Sequence, residues 1–255
     1  TVTQNTKELI ELGLVRETGE LQSTGGRRAK ALSAVAGYRL AAGIDITQNH
    51  IGMILTNLTG DILKYERIPY PYRPGREYFQ EVSEKLQAFI EASGEERERI
   101  LGIGISFPGI VDLQNKEIAN SHALGVTSLP FAEVADCFSY PCYFLNDANA
   151  GAYAEGIHSD AEEPFFYLSL SNTVGGALYH DGRLMQGKGY RCGEVGHMTI
   201  VPDGLLCYCK KAGCLDAYCA AKRLSDLTDK KLESFFSGLK EKKEDLVQAW
   251  EEYKK

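Results

Sequence analysis

No stretch of this 255-residue sequence approaches the roughly 18 consecutive apolar residues that a membrane-spanning helix needs, so no part is expected to cross a bilayer. No basic-then-apolar leader opens it, which gives no sign of secretion. There is no excess of positive charge: 28 Lys and Arg face 35 Asp and Glu, a net −7 that argues against a protein coating nucleic acid. Internal repeats and low-complexity tracts are absent. The seven cysteines do not read as a disulfide framework. An odd number, with three crowded into eight residues, fits a reducing cytoplasm better, and the cytoplasm is the expected compartment. What is present is an ordinary globular composition, 44% hydrophobic and 25% charged, on a chain long enough for more than one core. The charge is uneven. Residues 1–40 carry six Lys/Arg against four Asp/Glu, leaving −9 on the rest. A slightly basic piece on an acidic body is compatible with a DNA-reading module joined to something else.

The densest chemistry lies in GEVGHMTIVPDGLLCYCKKAGCLDAY, from Gly193 to Tyr218. His197 stands ten residues before Cys207, which is followed by Cys209 and Cys214. One imidazole and three thiolates form a closed four-coordinate set suited to Zn²⁺, with no position left open for catalysis, so the zinc is expected to be structural. A buried apolar cluster of thiols is the alternative, because free cysteine packs as a small hydrophobe. The spacing C-x-C-x4-C with a nearby His is more than packing asks for. Cys137, Cys142, Cys192 and Cys219 have no ligand spacing and read as packing residues.

Taken in order, residues 1–13 predict one short helix, capped by Thr, with Leu9 and Leu12 on one face and Gly13 at its end. Leu14–Glu17 predicts a strand, and another segment containing Leu32 follows the Gly-Gly-Arg-Arg turn that carries Arg27 and Arg28. A solvated amphipathic helix beside a basic turn is the plain reading of that piece. Residues 38–47, 51–56 and 62–68 are β-rich, with a turn at 57–61. Residues 76–93 predict an amphipathic helix through Phe79, Val82, Leu86, Phe89 and Ile90. A buried strand is expected at 100–106, and strands flanking a helix suggest an α/β layer. Residues 113–140 hold few signals; His122 could meet a ligand or serve as a surface or capping residue. A strand at 141–145 runs into Asn146-Asp147-Ala-Asn-Ala. Ligands of α/β sheets sit at the carboxyl ends of strands, although an Asp there can simply cap the next helix. A hairpin is expected over 164–180, one helix over 215–227, and a charged helical region over 229–255. In that last region Leu232, Phe235, Phe236, Leu239, Leu246, Trp250 and Tyr253 are the candidate buried positions.

Three of these stretches together resemble the ROK family of sugar kinases and sugar-responsive repressors, especially its xylose- and N-acetylglucosamine-type repressors. They are E-x-G-H with P-D-G and C-x-C-x3-G-C-x-D, the run Gly102–Asp112, and N-D-A-N-A. The resemblance implies an actin-like (ribonuclease H-like) two-lobe sugar-kinase fold of class α/β, with a first lobe at 38–121 and a second, zinc-bearing lobe at 122–255. It implies sugar contacts from Asn146, Asp147, Glu194, His197 and Asp216, and makes Asp147 the general base if the protein is a kinase. Thr1–Leu32 is similar to the later half of a winged helix-turn-helix, assigned to 1–37, and a complete module would need helices before it. Thr3, Gln4 and Asn5 would then face bases, and Arg27 and Arg28 phosphates or a minor groove. Two departures stand out. Lys210 replaces the usual Gly after the second Cys, which predicts an altered turn there. Asp216 replaces the usual Glu.

The phosphate loops are degraded. The family's D-x-G-G-T reads Asp45-Ile-Thr47-Gln48-Asn49 here, and its G-T-G-[IV]-G-G reads Ser171-Asn-Thr173-Val-Gly-Gly. Glycine lets backbone N–H groups approach phosphate, so ATP is not expected as a ligand. The expected protein is therefore a repressor and not an enzyme. It would bind operator DNA, take a sugar effector in the cleft of its body, and act as a homodimer or higher homo-oligomer without membrane attachment. An ATP-dependent sugar kinase is the alternative; a zinc-stabilised interaction module is a third.

Overall fold

The computed structural model describes residues 1–20, 30–158 and 163–254, so Arg27 and Arg28 lie outside the described residues. Helix α1 (Val2–Glu11) leads into strands β1 (Val15–Glu20) and β2 (Lys30–Ala34). Then come β3 (Leu40–Ile46), β4 (His50–Asn57), β5 (Ile62–Pro69), helix α2 (Arg76–Glu91) and β6 (Ile100–Phe107). Three short strands follow, β7 (Ile110–Asp112), β8 (Glu117–Asn120) and β9 (Leu129–Pro130), and then α3 (Phe131–Ala135), β10 (Cys142–Asn146) and α4 (Asp147–His158). The remainder holds β11 (Phe165–Leu170), β12 (Val174–His180), β13 (Arg183–Leu184), α5 (Asp216–Cys219), α6 (Lys222–Ser225), α7 (Leu232–Lys240) and α8 (Glu244–Tyr253). The chain divides into two compact units, Thr1–Ile105 with Phe131–Phe144 and Ser106–Pro130 with Leu145–Lys255.

The first unit is built on the sheet β10-β6-β3-β4-β5. Period-two alternation drives it: Leu40, Ala42, Ile44 and Ile46 of β3 are buried, as are Ile51, Met53 and Leu55 of β4. Helix α2 presents Tyr78, Phe79, Val82, Leu86, Phe89 and Ile90 as its buried stripe, at the 3–4 residue steps a helix requires. At the start of the unit, Thr1 caps α1 by accepting the Gln4 N–H at 3.4 Å, and Gly13 closes it at φ +73. No residue of α1 is buried; Leu9 and Leu12 remain exposed, and Thr3, Gln4 and Asn5 face solvent in its first turns. Strands β1 and β2 pair antiparallel, and Lys30 binds Glu17 across them at 2.7 Å.

The second unit contains two three-stranded sheets, β7-β8-β9 and β11-β12-β13. Helix α4 packs on β11 and β12 through small residues. Ala148 and Ala152 are buried, and Tyr167 and Tyr179 occupy the space a side chain on Gly151 or Gly156 would need. The carboxyl-terminal helices close around Leu224, Phe235 and Leu246, with Leu232, Leu239, Trp250 and Tyr253 packed against them. Phe236 lies instead at 38% exposure, against the edge of Trp250.

The single helix expected over 215–227 is two one-turn helices, α5 and α6. Ala220 between them is extended (ψ 133), and the Ala221 N–H donates to the Ser171 carbonyl at 2.8 Å, a long-range bond that outcompetes the local helix. The cluster around Phe235 gives a direct test. Phe235→Ala is expected to lower stability by about 3–5 kcal/mol in urea unfolding. Phe236→Ala should cost distinctly less, and equal losses would contradict the packing described.

Candidate functional site

A cavity of about 320 Å³ opens in the second unit, and every residue lining it belongs to that unit. Asn146, Asp147, Glu194 and His197 all line it, together with His122, Tyr208, Arg191 and the segment Thr173–Gly176. Its floor comes from the junction of β10 and α4. The cap of α4 is not Asp147 but Asn146, whose Oδ1 accepts the Asn149 N–H at 3.0 Å while its Nδ2 donates to the Gly109 carbonyl at 2.8 Å. Both ends of that amide are thus anchored. Asp147 accepts the Ala148 N–H at 2.9 Å and lies on the cavity wall.

The opposite wall is the single turn Val195–His197, with Glu194 at its start. It fits only because of a glycine: a Cβ on Gly196 would collide with the Val174 carbonyl. Asp216 is the one expected sugar residue that does not line the cavity. It is buried at 5% exposure and its Oδ2 accepts the Val174 N–H at 2.7 Å. Burial raises its pKa, opposed by that hydrogen bond and by His197. It stands one methylene short of Glu, and its reach is used on the backbone of β12.

Next to the cavity, one ligand atom each from His197, Cys207, Cys209 and Cys214 lie within 4.8 Å of one another, a group that could hold a metal ion. Cys207 Sγ stands 3.8 Å from His197 Nδ1 and Cys209 Sγ 3.7 Å from Cys214 Sγ. Two thiolates each about 2.3 Å from a tetrahedral ion would be separated by about 3.8 Å, so the donor set fits and is compatible with zinc. Burial pushes the Cys207 thiol up to about 12 and raises that of Cys214. At Cys209 burial acts in the same direction but is outweighed by the Lys211 N–H, the neighbouring thiols and the Lys211 ammonium, so its pKa falls. A cation shared by all three would hold them as thiolates.

The loop that presents the thiols is pinned by backbone bonds, Cys207 N–H to the Lys211 carbonyl at 2.9 Å and Gly213 N–H to the Leu205 carbonyl at 2.8 Å. Gly213 is obligatory at φ +80, where a Cβ would strike the Val201 carbonyl. Lys210, where the loss of glycine predicted an altered turn, adopts the left-handed conformation itself, at φ +69, and donates its N–H to the Cys207 carbonyl. The surrounding bonds hold a lysine where glycine is easier.

The two degraded loops are occupied by their own bonds. In the first unit the Thr47 N–H donates to the His50 carbonyl at 3.0 Å, the Thr47 hydroxyl does so at 2.9 Å, and the carbonyls of Gln48 and Asn49 accept from Tyr72 and Tyr70. In the second, Ser171 N–H donates to the Thr173 carbonyl at 3.2 Å, and the Val174 N–H is the one taken by Asp216.

The ROK family profile matches residues 41–252. The chain belongs to the ROK family. The ROK chain is 32% identical over 92% of its length to a putative xylose repressor of Caldicellulosiruptor sp. strain Rt8B.4, and spans 60% of that relative. The fold is that of a ROK family transcriptional regulator described as a homologue of the E. coli MLC protein, with TM-score 0.69 and 23% identity over 89% of this chain and 58% of that one. A ROK hexokinase from Thermus thermophilus matches with TM-score 0.63 and 26% identity, over 82% of this chain and 72% of that one. These neighbours identify an actin-like sugar-kinase fold of mixed α/β class.

Two cavity residues escaped the sequence reading. Tyr208 Oη lies 3.3 Å from His197 Nε2, and Arg191 lines the rim. Tyr208 sits between two expected metal ligands, which was the available signal; Arg191 had none. Lys210→Gly should relieve the left-handed backbone and raise stability by about 0.5 kcal/mol in urea unfolding, gain of favourable φ outweighing the entropy of glycine. A loss of stability would show that Lys210 is not strained.

Proposed function

We propose that this protein is a sugar-responsive transcriptional repressor of carbohydrate genes and not a kinase. The observation that carries the reading is an asymmetry. Asn146, Asp147, Glu194 and His197 share one cavity, whereas the N–H groups of Thr47 and Val174, in the loops that would cradle phosphate, are already bonded within the protein. Phosphate cradles need several free N–H groups, and Asp216 behind Val174 adds a carboxylate where an anion would sit. The naming of relatives as repressors points the same way.

In this reading Asp147 and Glu194 accept hydrogen bonds from sugar hydroxyls, and Asn146 and His197 contribute through the valences their other bonds leave open. Asp216 acts through Val174, as a positioning residue for the wall. His197, Cys207, Cys209 and Cys214 hold a structural zinc, which would fix the loop between Met198 and Asp216 and through it the position of His197. Residues 1–37 are the later part of a winged helix-turn-helix, with Thr3, Gln4 and Asn5 turned to bases and Arg27 and Arg28 to the backbone or minor groove. Residues 38–121 and 122–255 form the two actin-like lobes. A homodimer would match a palindromic operator. Sugar can alter DNA binding only by preferring one arrangement of the protein over another.

Four measurements test this. Metal analysis is expected to return one zinc per chain, and Cys209→Ala to lose it together with sugar affinity; well under one zinc in the wild type sinks the assignment. Calorimetry with hexoses and pentoses should show Asp147→Ala weakening binding about five- to a hundredfold without changing zinc content, and Asp147→Asn weakening it less. ATP should neither bind nor be consumed in the presence of sugar; turnover would establish a sugar kinase with Asp147 as its base. In operator assays Gln4→Ala should relax sequence preference, whereas Arg27→Ala should weaken binding to all sequences evenly. The reverse pattern would defeat the DNA assignment.

A further inference from the structure

A second, larger cavity of about 880 Å³ adjoins the first, also built entirely from the second unit. The two are contiguous: Ile110, Asn120, His122 and Arg191 line both. The first, at 320 Å³, stands at the low end of the roughly 300–1,000 Å³ typical of small-ligand pockets and suits a single sugar ring; the second stands at the high end. Nothing in the sugar-sensor reading uses that space.

Its lining is of mixed character. Ile110, Ala119 and Val126 offer an apolar surface, which suits the C–H face of a pyranose, and Asp112, Thr127 and Lys188 offer polar groups that could meet hydroxyls. The residues common to both include a polar pair, with Asn120 Nδ2 and His122 Nε2 3.4 Å apart, and Arg191. Arg191 and the Asn120 amide are hydrogen-bond donors, and an oxygen linking two rings is an acceptor without a proton of its own. A lone phosphate group would leave most of the volume empty.

The geometry points to a second sugar subsite: the effector is a disaccharide or longer glycoside, one ring in the cavity of Asp147 and Glu194 and the next in the cavity of Thr127 and Lys188. This rests on the sugar-sensor reading and extends it. Arg191, which lines both cavities, sits where the linkage passes.

Calorimetry on the protein with glucose, xylose, cellobiose, xylobiose and glucose 6-phosphate tests it. At least one disaccharide should bind about tenfold or more tighter than its constituent monosaccharide. Thr127→Trp, at an exposed position on the second cavity, should remove that advantage and leave the monosaccharide affinity within about twofold. Lys188→Ala, which adds no bulk, should weaken the disaccharide about three- to tenfold and the monosaccharide not at all, so the test survives a misfolded Trp variant. Monosaccharides that bind as tightly as disaccharides overturn the subsite alone, as does a preference for glucose 6-phosphate over both disaccharides. Failure of every sugar to bind overturns the sensor reading beneath it.

Discussion

The backbone of Val174 is the point on which the site turns. Its N–H is held by the buried carboxylate of Asp216 at 2.7 Å, and its carbonyl lies against Gly196 too closely for any side chain to intervene. One residue thereby joins the start of β12, the turn that carries Glu194 and His197, and the short helix that follows the last cysteine. A hydrogen bond to a charged acceptor contributes about 1.5–3 kcal/mol, and its loss inside a protein also leaves a buried carboxylate unpaired. That makes the arrangement close to all-or-none: the wall of the cavity is either assembled around Val174 or not present.

The same bond bears on how one fold can serve more than one purpose. An actin-like body needs only glycine-lined backbone to hold triphosphate, and the hexokinase neighbour shows that the architecture itself is compatible with that chemistry. In this chain side chains replace four of the six glycines, and the N–H groups of Thr47, Ser171 and Val174 are bonded internally. The residues proposed to meet sugar lie outside those loops, although Thr173–Gly176 of the second loop lines the same cavity.

Much of the architecture could be read from periodicity. Alternation from Leu40 to Leu55 and the helical stripe from Phe79 to Ile90 both reflect burial on one face, and burial leaves a pattern in sequence. Residues 113–140 left none, because β8 and β9 are four and two residues long and α3 is five, each shorter than the window a pattern needs. The break at Ala220 was hidden because its cause, the Ser171 carbonyl, lies 50 positions away in the chain. For the site, the family resemblance pointed to five residues, four of which the fold gathers into one cavity, but it did not reveal how each is used. Asn146 had been weighed as a ligand residue and is also the helix cap; Asp216 sits behind the wall. Whether a polar side chain faces a ligand or a neighbouring peptide depends on distances of an ångström, which residue identity does not encode.

His197 has one ring nitrogen toward Cys207 and the other toward Tyr208 and the cavity. A metal on Nδ1 and a hydroxyl on Nε2 would share a single conjugated ring, and charge drawn through one nitrogen alters the other. Thermodynamic reciprocity then leaves no choice of direction: whatever factor the ion lends to the affinity of the small molecule, the small molecule returns to the affinity of the ion.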